Sequence, residues 1–275
     1  MKTWTQKKGH KGQEVKRLQK KLGVVEDGDF GVATEQALRE YQVDNNLTPD
    51  GISGPQVRAA MGIEIYPGID VSHHQGNIDW ATVSASGMAQ FCWIKVTEGN
   101  DYQDPKHEQN IISARQVGIP VGGYHFARPD LHESPRQEVE NFVKHCPVQS
   151  GDLRPVLDFE TAGDHSAKSI HAWVVEFLTE TESLCGVRPI IYTGGNMVKY
   201  ALHKNTSILD TYPLWHAYYS RKALEKGIKS DRLGSWPEWR VWQWTGSGKV
   251  SGISGDVDRN WLVGGSSGLG EILVK

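Results

Sequence analysis

The segment Pro155-Val156-Leu157-Asp158-Phe159-Glu160 sets two carboxylic acids two residues apart inside an apolar run. Side chains alternate along an extended strand, so Asp158 and Glu160 project to the same side, with Cα atoms roughly 6.5–7 Å apart. Two carboxylates that close resist joint ionisation, and one of them is expected to keep its proton near neutrality. A protonated acid beside an anion is the pair that glycoside hydrolysis uses: the acid at the glycosidic oxygen, the anion near the anomeric carbon. The plainer alternative is one surface acid and one structural salt bridge. Against it, the apolar neighbours Val156, Leu157 and Phe159 make an accidental acid pair costly to bury.

Such a pair needs a scaffold. Short apolar runs recur at 68–71, 91–96, 120–126, 155–159, 189–192, 214–219, 241–244 and 255–258. Most are too short and too apolar for strands with one wet face, which predicts a parallel barrel buried on both faces. Helices are expected between the early runs, at 104–117, 135–144 and 171–184. The later gaps are shorter and richer in Gly, Ser and Trp, so full helices are not expected there. In a β/α barrel the chemistry sits at the carboxyl ends of the strands. Asp70, Glu98, His125, the Asp158/Glu160 pair, Tyr192, His216 with Tyr218, Gln243 with Trp244, and Asp256 with Asp258 stand there. Acids converging on one barrel mouth exceed what stability asks for and suit a glycosidase.

Tyr124, Tyr192, Tyr218 and Trp244 are candidate faces for sugar stacking, although each alone fits core packing equally well. The His73-His74 pair invites a metal, but neighbours at a strand end point to opposite faces and no HExxH is present, so neither metal nor cofactor is expected. Cys92, Cys146 and Cys185 are widely spaced and odd in number, without a CxxC pair or a readable Cys–His–Asn set. That excludes a dense disulfide framework and a zinc ribbon, and fits synthesis in a reducing compartment.

Ahead of the barrel, residues 12–61 read as a helical unit. Val15, Leu18 and Leu22 recur at helical spacing before Gly23; Thr34 opens a second helix carrying Ala37, Leu38 and Tyr41; a third covers 57–61. Asp27-Gly28-Asp29-Phe30-Gly31 and Asp50-Gly51-Ile52-Ser53-Gly54 form a weak internal repeat of D-G-x-x-G turns. Three helices in so short a stretch are marginal alone and suit a binding module. The reading divides the chain into a three-helix domain over 1–63, a linker over 64–67 short enough to keep the domains close, and a barrel over 68–275. The Gly- and Ser-rich stretch 264–268 and the residues after it read as a flexible tail.

An apolar content of 38% and a charged content of 23% describe an ordinary globular chain, and a net charge of -3 argues against nucleic acid as the main partner. The first residues are locally basic: Lys2, Lys7, Lys8, Lys11, Lys16, Arg17, Lys20 and Lys21 face only Glu14. They form either a solvated helix face or an attraction to an anionic envelope. Met1-Lys2-Thr3-Trp4 is followed by polar residues with no apolar stretch of a secretory signal, and no run is long enough to span a membrane. The expectation is no membrane insertion and a monomer, and if the target lies outside the cytoplasm, something else must let the protein out.

Two resemblances follow from these residues. Gly12, Val15, Leu18-Gln19, Leu22, Asp27-Gly28, Phe30-Gly31, Thr34, Ala37, Gln42, Leu47, Asp50-Gly51 and Gly54 resemble the peptidoglycan-binding type 1 domain across nearly the whole unit. That implies a three-helix fold gripping peptidoglycan in a shallow groove. Asp70-Val71-Ser72-His73-His74-Gln75-Gly76 and Ile94-Lys95-Val96-Thr97-Glu98-Gly99 with Tyr102 and Asp104 resemble the family 25 glycoside hydrolases, the Chalaropsis-type lysozymes. Gly122-Gly123-Tyr124-His125-Phe126, Leu157-Asp158-Phe159-Glu160, Ile191-Tyr192-Thr193, Trp242-Gln243-Trp244 and Asp256-Val257-Asp258 with Asn260 continue the match in order over 66–262.

The second resemblance implies an irregular TIM-like β/α barrel, hence an α/β fold, that cleaves the β-1,4 bond between N-acetylmuramic acid and N-acetylglucosamine. By position Glu160 matches the general acid, Asp158 its partner carboxylate, and Asp70 and Asp258 the flanking acids. Glu98, Tyr124, His125, Tyr192, Tyr218, Gln243 and Trp244 are the candidate substrate contacts. The chain departs from the pattern at Trp93, where a smaller residue is usual, at Asp256, often Asn, and at Trp244, often Tyr. The implied protein is a modular phage endolysin whose partner is bacterial peptidoglycan. A bacterial autolysin, a non-catalytic wall-binding protein, another glycosidase such as a chitinase, and an amidase or peptidase are the rivals.

Overall fold

The computed structural model describes residues 5–63, 65–202, 208–220, 223, 228 and 232–275. Lys2 of the basic segment and Glu64 of the expected linker lie outside them. Helices α1 (Gln13–Leu22), α2 (Val32–Asp44) and α3 (Pro55–Met61) make the N-terminal unit. Its core is Val15, Leu18, Phe30, Leu38, Val57, Met61 and Ile63, and α1 stops at Gly23, which takes the left-handed φ of 68° that glycine adopts without steric cost.

The internal repeat is structural. Gln19 Nε2 donates to Asp27 Oδ1 (2.7 Å) and the Asp29 carbonyl (3.0 Å), while its Oε1 accepts from Gly28 N (2.8 Å). Gln42 does the same with Asp50 Oδ1 (2.8 Å), the Ile52 carbonyl (3.1 Å) and Gly51 N (2.9 Å). Each buried glutamine satisfies the polar groups of a turn that would otherwise be orphaned.

The second unit is a closed barrel. Strands β1 (Ile65–Val71), β2 (Cys92–Glu98), β4 (Val121–Phe126), β5 (Val156–Asp158), β6 (Ile190–Gly194), β7 (Leu214–Ala217) and β8 (Val241–Gly248) run parallel in that order. β9 (Val257–Val263) lies between β8 and β1, antiparallel to both. The expected all-parallel barrel is corrected on this point. The loop after β8 has no crossover helix, so the chain returns as a hairpin. A two-residue β3 (Tyr102–Gln103) hangs antiparallel on β2.

Residues 65–67 are not linker, because they already pair with Trp261, Leu262 and Val263 of β9. Nor is 264–268 a loose tail: a helix over Gly265–Ile272 follows β9, and Arg154 N and Val274 N bond across to the carbonyls of Ile272 and Asp152. Ile272 is buried with Leu153, Val156, Ile190, Val241 and Leu262, so this helix plugs the end of the barrel away from the strand carboxyl ends.

Helices α5 (His107–Gln116), α6 (Arg136–His145) and α7 (Ala167–Cys185) stand where helices were expected, and α4 (Trp80–Ala85), capped by Asp79, is one that the sequence reading did not include. α6 and α7 pack Val139, Phe142, Trp173, Val174 and Phe177 over Val96, Leu157 and Ile191 of the sheet. α4 and α5 cover Ile69, Val71, Ile94 and Val121. No helix among the described residues is long and apolar enough to cross a membrane.

The two units touch through Arg17. Its guanidinium binds Glu14 of its own helix (2.7 Å), then Glu238 (2.9 Å) and the Trp239 carbonyl (2.6 Å) just ahead of β8, and lies 4.7 Å from the Trp239 ring centroid.

Candidate active site

The carboxyl ends of the strands surround a cavity of about 240 Å³ lined by Asp70, Ser72, His74, Lys95, Tyr124, Phe126, Asp158, Glu160, Tyr192, Trp215, Tyr219, Gln243 and Asp258. Alternation selects which residues face it. On β1 Asp70 faces in, on β5 Val156 and Asp158 do, and Glu160 follows just past the strand on the same side. Asp258 reaches the mouth by the opposite route. It is the second residue of β9, and because β9 is antiparallel its start lies beside the end of β1, with Asp258 the register partner of Asp70. Asp256 instead is exposed and paired with Lys249 at 2.8 Å, outside the cavity lining.

Asp70 is held from two sides. Gln243 Nε2 donates to both of its oxygens (3.0 and 3.2 Å) and Asn260 Nδ2 to one (2.7 Å). The Gln243 Oε1 accepts from the hydroxyls of Tyr192 (2.7 Å) and Tyr219. Asn260 also accepts from Trp215 Nε1 (2.9 Å), which fixes the indole on the cavity floor. Trp93 stacks on that indole with centroids 4.5 Å apart. Gly122 makes room for it, since a Cβ there would come 2.8 Å from Trp93 Nε1.

Three acids of the cavity are shifted upward. Burial, then the facing Asp258, pushes the Asp70 carboxyl well above its ordinary range, against the hydrogen bonds of Asn260 and Gln243. Burial, then the charge of Glu160, does the same to Asp158. Asp258 is raised to about 6 by burial and then by Glu160. Asp158 Oδ1 is buried without a hydrogen-bond partner among the described residues, an acceptor position left open toward the cavity. Lys95, on the inner face of β2, offsets part of this negative charge and is itself anchored to Glu98 at 2.6 Å.

Of the residues expected from the sequence, Asp70, Asp158, Glu160, Asp258, Tyr124, Tyr192 and Gln243 converge on the cavity. Tyr218 lines a second, larger cavity of about 420 Å³ that shares Glu160, Tyr192 and Tyr219 with the first. Three expectations are corrected. His125 is fully buried on the outer face of β4, between Thr97 (2.8 Å) and Glu138 (2.8 Å), packed on Phe142 and Phe177. Trp244 also faces outward, its ring 5.3 Å from that of Trp261. Glu98 stands behind Lys95, bound to Arg128 at 2.9 Å, and does not line the cavity. Alternation itself could have excluded His125 beside Tyr124, and Trp244 beside Gln243.

The sequence reading missed Ser72, His74, Lys95, Phe126, Trp215 and Tyr219 as lining. Lys95 and Trp215 carried a usable signal, each sitting two residues from an inward neighbour on its strand. His73 and His74 belong to a 3₁₀ turn, not a strand end, so their rings lie 4.1 Å apart in place of pointing to opposite faces. His73 is bound to the buried Asp104 at 2.7 Å. Among the described residues no cluster of His, Cys, Asp and Glu is arranged to hold a metal ion.

Comparison with known proteins agrees with this geometry. The family model for glycosyl hydrolases family 25 matches residues 69–253, and that for a putative peptidoglycan binding domain matches residues 11–61. Lysozyme M1 of Streptomyces globisporus is 30% identical over 249 residues, 87% of this chain and 78% of that protein. The N,O-diacetylmuramidase of Chalaropsis sp is 29% identical over 207 residues, 70% of this chain and 95% of its own. Among solved structures, the bacterial lysozyme from Streptomyces coelicolor has a TM-score of 0.69 at 30% identity, covering 76% of this chain and 97% of that one. The family 25 lysozyme from Aspergillus fumigatus has a TM-score of 0.68 at 27% identity, covering 77% and 100%. With the barrel, the acid cluster and the family match over the same residues, the chain belongs to glycoside hydrolase family 25 and carries a peptidoglycan-binding unit at its N-terminal side.

Proposed function

We propose that this glycoside hydrolase is a muramidase that cuts the β-1,4 bond between N-acetylmuramic acid and N-acetylglucosamine in bacterial peptidoglycan, held on the wall by its N-terminal unit. The observation that carries the reading is the pairing of Asp158 and Glu160 over one cavity with Asp70 and Asp258 inside it. Glu160 protonates the leaving oxygen and then activates water. Asp158 either attacks the anomeric carbon or orients the sugar's own acetamido group to do so. The open acceptor at Asp158 Oδ1 supports the second route, because an acetamido N–H supplies a donor that none of the described residues does. Both routes retain configuration, and the two-residue spacing disfavours the wider inverting arrangement.

The test is mass spectrometry of fragments released from purified peptidoglycan by wild type and Glu160→Gln. Reducing N-acetylmuramic acid ends made by wild type alone support the reading. Reducing N-acetylglucosamine ends, free peptides, or full activity in the variant overturn it.

The biological role proposed is that of an endolysin, released to the wall through a separate pore. The union of a wall-binding unit and a wall-cutting barrel supports a lytic role. An autolysin is the second reading, favoured by 30% identity over 204 residues to a protein named autolytic lysozyme from Clostridium acetobutylicum. Expression with and without a pore-forming protein separates them. Lysis that requires the pore supports the endolysin; lysis without it supports the autolysin.

A further inference from the structure

The second cavity has no role in the chemistry described so far. It adjoins the first cavity at Glu160, Tyr192 and Tyr219, is lined by none of the buried acids Asp70, Asp158 and Asp258, and adds Gly194, Gly195, Tyr218 and Arg232 to its walls. Gly194 ends β6 and Gly195 follows it, and together they leave the floor open, since a Cβ on either would meet nothing closer than 3.7 Å. Tyr218 and Tyr219 supply aromatic surface. Arg232 is exposed at the rim, with its guanidinium carbon 5.9 Å from the Tyr218 ring centroid. Among the described residues no carboxylate lies within ion-pair distance of it; Arg154 and Arg259 share that lack, but of the three only Arg232 lines this cavity. An arginine at the rim of a ligand cavity, with no carboxylate partner among the described residues, suits an anion brought by the ligand, because the planar guanidinium matches a carboxylate in two-point geometry.

Resting on the muramidase reading, we infer that this cavity receives the leaving side of the glycan and that Arg232 recognises a free carboxylate of the peptide stem carried there. With the attacked sugar over Asp70, Asp158 and Asp258, the glycosidic oxygen must meet Glu160. The next sugars then have to cross Glu160 into the second cavity, which shares that residue with the first. Their hydroxyls and acetamido groups are neutral. The stem peptide is the part of the strand that brings carboxylates, so Arg232 makes cleavage sensitive to whether those carboxylates are free or amidated. Arg232 acts here as a specificity-determining residue, remote from the reacting atoms.

The experiment uses the full chain and soluble peptidoglycan strands with intact stems, either with free carboxylates or after conversion of those carboxylates to amides. Reducing-end release is measured for wild type, Arg232→Gln and Arg232→Glu. Wild type is expected to lose about three- to tenfold in kcat/KM on amidation, the range of one partly exposed charged pair. Arg232→Gln is expected to be nearly insensitive to amidation, and Arg232→Glu to prefer the amidated strand. Wild type that cuts both substrates equally well overturns the inference, as does Arg232→Gln retaining the full wild-type preference. No reducing ends from wild type on either strand would instead overturn the muramidase reading, and this inference with it.

Discussion

Asp70 and Asp258 are register partners across the antiparallel β1–β9 pair, so two carboxylates face each other inside the barrel mouth. Like charges directly opposite one another destabilise a sheet, and here they are part buried as well. The barrel therefore carries a cost at the place where a charged substrate site is built.

That cost has a pH signature. Asp258 binds its proton more tightly folded, at about 6, than its ordinary value of 3.8 allows. The native chain holds extra protons between those values, so stability falls as pH rises through that window. Asp258→Asn should stabilise the protein at pH 7 by about 1–2 kcal/mol, discounted from the full shift for partial exposure. The gain should vanish below about pH 4, where the wild-type carboxyl is protonated in both states. Thermal denaturation at both pH values checks this, and an equal gain at both would refute it.

Gln243 joins Asp70 to Tyr192 and Tyr219 through one amide. Gln243→Ala removes the donor to Asp70 and frees both tyrosines, letting the acids shift by about 1 Å. A fall of about 100-fold in kcat is expected, since small misplacement of reacting groups carries penalties of that order. A change confined to KM would show that Gln243 only touches substrate.

His125 should behave as a core residue. Its removal leaves Glu138, which also accepts from Arg128 N and His132, short of a donor in a buried position. His125→Ala is expected to cost about 2–4 kcal/mol of stability, with KM of the folded enzyme unchanged. Urea unfolding and steady-state kinetics read the two quantities separately. A raised KM with unchanged stability would return His125 to the substrate contacts.

Arg17 should hold the two units together. Arg17→Ala leaves Glu14 buried without its ion partner and breaks the links to Glu238 and Trp239. About 3 kcal/mol is expected to be lost from the N-terminal unit, and adding Glu14→Gln should recover most of it. Hydrogen exchange across α1 and residues 238–241 should rise together. Faster exchange in α1 alone would mean that the barrel contact contributes nothing.

The basic N-terminal stretch is less free than its composition suggests. Lys8 is paired with Glu35 at 3.2 Å and Lys11 with Asp29 at 2.5 Å. Neutralising Lys7, Lys8 and Lys11 should weaken binding to whole cells without altering turnover on soluble fragments. Because two of these charges are already compensated, the loss should be modest, about threefold or less in affinity. Equal loss on both substrates would refute an envelope role.

Much of the site was legible in the sequence, because it rests on local rules. Two-residue spacing set Asp158 and Glu160 on one side, the strand-end position marked Asp70, Tyr192 and Gln243, and the D-G-x-x-G repeat marked two equivalent turns, although not the glutamines that clasp them. What was misread depended on facing, which alternation fixes only once one inward residue of each strand is known. A strand has two buried faces in a barrel, and polarity alone does not say which residues turn inward, so His125 and Trp244 were placed at the mouth while Lys95, Trp215 and Tyr219 were passed over. The direction of β9 was equally hidden, since a short apolar run reads alike in both senses. Only closure of the sheet brought Asp258 opposite Asp70, raised the carboxyls by burying them together, and set Arg232 on the rim of a cavity that Glu160 also lines. Composition and spacing are properties of the chain, whereas burial and charge pairing arise from what distant strands bring into contact.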